Sequence, residues 1–193
     1  MNNGRECRAF AEFRALTNDQ TSPYIVTGYA CTYDKYPLYG KFHERVARGA
    51  FNGADMSDVI FQYDHAGRVY ARTSNGTLQV TPDDKGLFIR ADLSKSAAAK
   101  ELFEEIRAGL VTKMSFGFRV AQDHDEDDGY TRVIDRFSKI YDVSAVSIPA
   151  NDNTEIGISA RDFFHAVEER KARAALELRR RRLQVKMKAG YKL

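Results

Sequence analysis

The sequence predicts a mainly β protein of the α+β class, with helices flanking a closed or nearly closed β-barrel core. Short runs rich in β-branched and aromatic residues recur through the first 150 positions, punctuated by Gly, Asn and Asp turn residues. One segment of that stretch has helical apolar spacing. Beyond residue 160 the composition changes to a basic run of helix formers without Gly or Pro as far as Lys188. The expected division is a globular body over 1–160 and a helical basic tail over 161–193.

Taken in order, residues 24–33 read as a strand, followed by a loop containing Pro37 and Gly40 and a short segment ending Arg48-Gly49-Ala50-Phe51. The apolar run 58–63 reads as a buried strand that delivers the chain to Asp64-His65-Ala66-Gly67. A meander over 69–72, 77–81 and 87–93 is expected next. Its turns are Asn75-Gly76, a two-residue hairpin signal, and the three-residue Asp84-Lys85-Gly86. A helix is expected over 95–108, capped by Ser94 or Ser96 and ended at Gly109, with Ala98, Leu102, Phe103 and Ile106 at three-to-four spacing. Residues 111–120 read as a strand, 123–129 as an acidic solvated loop, and 130–134 with 137–148 as one or two long strands stopped at Pro149.

The chain of 193 residues is 43% hydrophobic and 30% charged, the composition of an ordinary globular domain. It has no apolar run of the roughly eighteen residues a spanning helix needs and no signal-like N-terminal stretch, so no membrane contact and a cytosolic location are expected. Cys7 and Cys31 match neither a zinc nor a dithiol spacing, and reduced thiols are the expectation. The four histidines form no metal motif and no Gly-rich phosphate loop occurs, so neither metal nor organic cofactor is expected. The net charge of +3 hides an acidic body and a tail over 161–193 with eleven Lys and Arg against four Asp and Glu. Such a tail suits docking on an acidic protein, or no partner at all; nucleic acid ranks third.

Three residues could perform acyl transfer. His65 follows a buried strand, where an imidazole can face a cleft or merely occupy a turn. Ser115, among Met114, Phe116 and Phe118, needs either a hydrogen-bond partner or a cleft. Gly117, two residues on along the same strand face, leaves space that suits a substrate carbonyl. Asp142, in the apolar run Ile140-Tyr141-Asp142-Val143, must be paired unless it lies on a wet edge. Together these are a nucleophile, a base and an orienter, although spacing alone does not bring them together.

The ordered set Gly28-Tyr29-Ala30, Glu44-Arg45-Val46-Ala47-Arg48-Gly49-Ala50-Phe51, Asp64-His65, Gly86-Leu87, Ile106-Arg107-Ala108-Gly109, Lys113-Met114-Ser115-Phe116-Gly117-Phe118 and Asp142-Val143-Ser144-Ala145-Val146-Ser147-Ile148-Pro149-Ala150 resembles the prohead maturation proteases of tailed phages, distant relatives of the herpesvirus assemblins. The resemblance implies a serine endopeptidase that cleaves scaffold segments or capsid precursors inside the assembling prohead in the bacterial cytoplasm. It places the catalytic His at His65 and the Ser at Ser115. Asp142 is favoured as the third member, with His124 and Glu44 as lesser candidates. Its partners would be the major capsid protein precursor and scaffold segments, and a homo-oligomer is compatible with it. The rival expectation is an inactive assembly or scaffold-binding factor of the same fold.

Overall fold

The computed structural model describes residues 5–16, 23–126, 129–147, 165 and 167–181. Among the described residues ten strands join one sheet: β1 (Glu6–Leu16), β2 (Ile25–Thr32), β3 (Tyr36–Tyr39), β4 (Phe42–Val46), β5 (Ile60–Tyr63), β6 (Ala66–Arg72), β7 (Leu78–Pro82), β8 (Gly86–Asp92), β9 (Lys113–Asp125) and β10 (Thr131–Val146). Helix α1 (Ala97–Arg107) lies between β8 and β9, and a second helix, α2, covers 167–181. The sheet runs β3-β4-β10-β9-β1-β2-β8-β7, with β5 also pairing β10 and β6 pairing β5.

β10 organises the molecule. It pairs antiparallel with β9 on one side, and on the other it pairs parallel with β4 over its first half and with β5 near its end. One face of β9 and β10 is apolar: Met114, Phe116, Phe118, Val143 and Ala145 are buried in the core. There Phe116 stacks on Phe118 at 4.6 Å and Phe51 on Phe137 at 4.8 Å, with Phe118 edge-on to Phe137 at 5.0 Å. Each such ring contributes about 1.5–3 kcal/mol by leaving water. Alternation along a strand then sends Ser115, Gly117, Asp142 and Ser144 to the opposite face.

The sheet does not close into a barrel among the described residues, which corrects the expectation of a closed or nearly closed barrel core. A β6–β7 ladder would close it, yet β6 pairs β5 and β7 pairs β8. The chemistry of the connection explains this. Residues Thr73–Asn75 form a 3-10 turn ending at Gly76 (φ 75°) instead of a two-residue hairpin. The Thr77 hydroxyl donates to Asn75 Oδ1 at 2.6 Å and accepts from the Arg72 N–H at 2.9 Å, taking up a backbone group that a ladder would use. At the next turn Asp83 Oδ1 accepts from the N–H groups of Lys85 and Gly86, and the expected β7–β8 hairpin forms.

Helix α1 starts where Ser96 accepts from the Ala99 N–H and ends before Gly109 in the left-handed region (φ 75°). Its buried side chains are Ala99, Leu102, Phe103 and Ile106. Among the described residues, the start of α2 meets the body through buried Val167, a Lys41–Glu168 pair at 3.6 Å, an Arg170–Asp125 pair at 3.0 Å and Lys171 lying 3.8 Å over the Tyr130 ring.

On the inward side of β1 sits a buried ionic cluster. Arg8 bonds Glu44 at 2.7 Å and Glu6 at 2.6 Å, and Arg132 bonds the same two carboxylates at 3.0 and 2.8 Å. Tyr36 donates to Glu44 as well. Burial lowers the Arg8 pKa, but the Glu44, Tyr36 and Glu6 charges outweigh it and hold the guanidinium protonated. Every charge has an opposite partner, the condition under which ions persist in an interior. Glu44 is thus fully occupied here, on the far side of β1 from His65, and this contradicts its candidacy as the residue that orients the histidine.

Candidate active site

His65 is positioned by a hairpin tip. Tyr63 pairs with Ala66, so Asp64 and His65 form a two-residue loop, and both have left-handed backbones (φ 47° and 57°). That double positive φ is the signature of a type I′ turn, which usually carries Asn or Gly, so the backbone that presents the imidazole is in a costly conformation held by its surroundings. The restraint comes from β10. The Asp64 N–H donates to the Ala145 carbonyl at 2.9 Å, while the Asp64 carboxylate accepts from both the N–H and the hydroxyl of Ser147 at 2.9 Å.

Ser115 comes from β9, one position from the apolar face, directly opposite Ser144 on β10. Its Oγ lies 2.5 Å from His65 Nε2 and 2.9 Å from the Arg8 carbonyl. The other imidazole nitrogen, Nδ1, lies 2.5 Å from Asp142 Oδ2. Asp142 is 0% exposed. Besides His65, its partners are the Ser144 hydroxyl at 2.8 Å, on Oδ2, and the Arg5 guanidinium on Oδ1. Residues 50 and 77 positions apart from His65 thus converge on its two ring nitrogens.

The electrostatics follow from this contact chain. Burial opposes the charged imidazole, but the hydrogen bond to Asp142 and the adjacent Cys7 sulfur prevail, and the His65 pKa is raised to about 9. Burial likewise opposes the Asp142 carboxylate, yet the His65 hydrogen bond and charge, then Arg5 and Ser144, hold its pKa below the ordinary value. In the protonated state Nε2–H donates to Ser115 Oγ, whose own proton goes to the Arg8 carbonyl. Loss of the imidazole proton frees Nε2 to accept from the serine hydroxyl, the arrangement a general base needs.

Gly117 has a different role from the one expected. It lies across from Asp142 on β10. A Cβ added there would come 2.2 Å from Asp142 Oδ1 and 2.9 Å from Arg5 Nε. The space above the glycine is therefore filled by the carboxylate and guanidinium, and no opening for a substrate carbonyl remains at that point.

The lesser candidate His124 is elsewhere. Its Nδ1 bonds Asp135 at 2.6 Å in an exposed pair, toward the far end of β9. Sequence reasoning passed over Arg5, Cys7, Arg8 and Ser144, all of which touch or adjoin the Ser115–His65–Asp142 chain. Among the described residues, no group of three or more His, Cys, Asp and Glu side chains is arranged to hold a metal ion. No described helix is long and apolar enough to cross a membrane.

The sequence matches the family of Caudovirus prohead serine proteases over residues 11–169. No curated protein and no solved structure matches it. A match spanning most of the chain makes it a member of the Caudovirus prohead serine protease family, and hence a serine peptidase.

Proposed function

We propose that the protein is an endopeptidase that cleaves scaffold segments or capsid precursors in the assembling prohead, with Ser115 as nucleophile, His65 as general base and Asp142 as orienter. The observation that carries this reading is the continuous contact Ser115 Oγ to His65 Nε2 and His65 Nδ1 to Asp142, each 2.5 Å. His65 takes the Ser115 proton as Oγ bonds to the scissile carbonyl carbon. The resulting imidazolium, stabilised by Asp142, gives that proton to the departing amine as the C–N bond breaks. Water, deprotonated by His65, then attacks the acyl-enzyme and regenerates Ser115. Chemistry of this kind needs no metal or organic cofactor.

Membership in the prohead protease family implies association with phage capsid proteins. The finer partner reading is that the catalytic body spans 1–160 and that the basic segment 161–193 docks on the acidic precursor or scaffold. Its support is the exposure of Arg173, Arg179, Arg180 and Arg181 along α2. Co-expression with the capsid precursor tests the proteolytic reading: wild type shortens the precursor, and Ser115→Ala leaves it full length. Processing that continues in the alanine variant removes Ser115 as nucleophile and favours an inactive assembly factor.

The pH dependence has a definite sign. A base must be neutral to accept a proton, and His65 loses its proton only near pH 9. The rate of labelling by a fluorophosphonate is therefore expected to fall about tenfold per pH unit below about 9 and to level off above it. A flat profile between pH 6 and 10 contradicts the assignment. The same linkage makes the His65–Asp142 pair stabilising below the unfolded imidazole pKa, and that contribution is lost as pH rises through about 9.

A further inference from the structure

We propose that Arg5 is a positioning residue of this triad: its guanidinium grips one oxygen of Asp142, turns the other toward His65 Nδ1, and by its charge limits how firmly the imidazole keeps a proton. This rests on the assignment of Ser115, His65 and Asp142 made under the proposed function. Arg5 directly precedes β1, whose Cys7 pairs with Gly117 and whose Arg8 carbonyl accepts from Ser115.

Two independent features tie the guanidinium to the carboxylate. The first is the ion pair itself, Arg5 Nη2 on Asp142 Oδ1, while His65 and Ser144 share Oδ2. Division of labour between the two oxygens fixes the rotation of the carboxyl group about its own bond, which a single partner cannot do. The second is the floor beneath the pair. Gly117 presents no Cβ, and one placed there would lie 2.2 Å from Asp142 Oδ1 and 3.0 Å from Arg5 Nη2. The strand has thus a gap matched to both partners at once. A further restraint comes from Tyr141, whose ring centroid lies 5.6 Å from the Arg5 guanidinium carbon.

The electrostatic consequence follows from where the charges lie. Facing His65 are Asp142 from β10, the Ser115 hydroxyl from β9 and Cys7 from β1. Its neighbour Asp64 is turned away onto Ser147. Arg119 and Lys139 lie farther along the same face, with Arg5, around the Tyr141 ring. Arg5 is the cation bonded to the carboxylate that the imidazole also uses. It competes with the imidazolium for electron density on Asp142 and repels its charge. Removing it leaves the carboxylate a stronger acceptor and the protonated histidine more stable, so the base becomes harder to free.

The test uses the full chain with 15N-labelled histidine. The His65 midpoint is read by NMR, and fluorophosphonate labelling of Ser115 is followed against pH. In Arg5→Met, or Arg5→Gln should that variant not fold, the midpoint is expected to rise by roughly one pH unit. Labelling at pH 7 then slows about tenfold while its endpoint stays stoichiometric. Arg5→Lys, which keeps the charge, retains the wild-type midpoint. A purely structural role would lower the labelled fraction and leave the midpoint in place. An unmoved midpoint in a neutral variant of a wild type that labels normally overturns the role of Arg5 alone. Wild type that fails to label at Ser115 overturns the triad assignment, and the role of Arg5 with it.

Discussion

Replacing Asp142 with Asn is expected to lower the rate of Ser115 labelling and of precursor cleavage by roughly 10⁴-fold, with the fold retained. The amide keeps the size of the carboxyl group, so the packing of β10 against β9 survives. What changes is the partner of His65 Nδ1. A carboxylate oxygen accepts from Nδ1–H and leaves Nε2 as the lone-pair nitrogen facing Ser115, 2.5 Å away. An amide that turns its NH2 toward the ring reverses this: Nδ1 becomes the acceptor, and Nε2 carries the hydrogen. The base then has no lone pair directed at the serine, and the imidazolium formed during attack loses its counter-charge. Circular dichroism with labelling kinetics separates the effects. A folded variant that reacts within tenfold of wild type would show that Asp142 has no orienting function.

Gly117→Ala should be the second most damaging change outside the serine and histidine themselves. One methyl group placed 2.2 Å from Asp142 Oδ1 cannot be absorbed by the backbone, so the carboxylate and Arg5 must move. A displacement of about 1 Å in a catalytic group costs on the order of 10²-fold in rate. We expect a loss of 10²- to 10³-fold in labelling rate, and a lower unfolding temperature because the Asp142–Arg5 pair is pushed from its bed. Labelling at the wild-type rate would mean that the carboxylate does not need its present place.

Much of this architecture is readable from residue patterns, and the exceptions have physical causes. Strands β2, β8 and β9 and helix α1 announce themselves through β-branched and aromatic runs, or through Leu102, Phe103 and Ile106 at helical spacing, although Ala99 and not the expected Ala98 completes the buried face of the helix. β10 is one long strand because the hinge between 134 and 137 is taken up by register shifts against β9 and not by a turn. Strand β1 stayed hidden because its inward positions include Glu6 and Arg8, which a binary pattern assigns to water. They are buried only because Glu44 and Arg132, distant in sequence, meet them there. β3 was passed over because it contains Pro37; it stands at the end of the sheet, where the missing N–H is tolerated. The open sheet was illegible for a similar reason: it depends on the Thr77 side chain replacing a ladder.

The site divides in the same way. His65 and Ser115 were accessible as a polar residue after a buried strand and a hydroxyl among phenylalanines. A carboxylate in an apolar strand must be partnered, so the need at Asp142 is visible in the sequence, but its partners His65, Ser144 and Arg5 are not. Nothing in the sequence near Arg5 announces its contact, because the ion pair spans 137 positions. The left-handed Asp64-His65 tip is the one local signal that was missed: two polar residues between Tyr63 and Ala66-Gly67 suit a type I′ loop.

One measurement bears most directly on the claim that an imidazole and a hydroxyl from separate strands act as a unit. Wild type and His65→Ala are treated with a fluorophosphonate above pH 9, digested, and mapped by mass spectrometry. The account predicts one adduct, on the peptide bearing Ser115, and its near-complete loss in the alanine variant. An adduct on any other residue, or undiminished modification of Ser115 without the histidine, would contradict it.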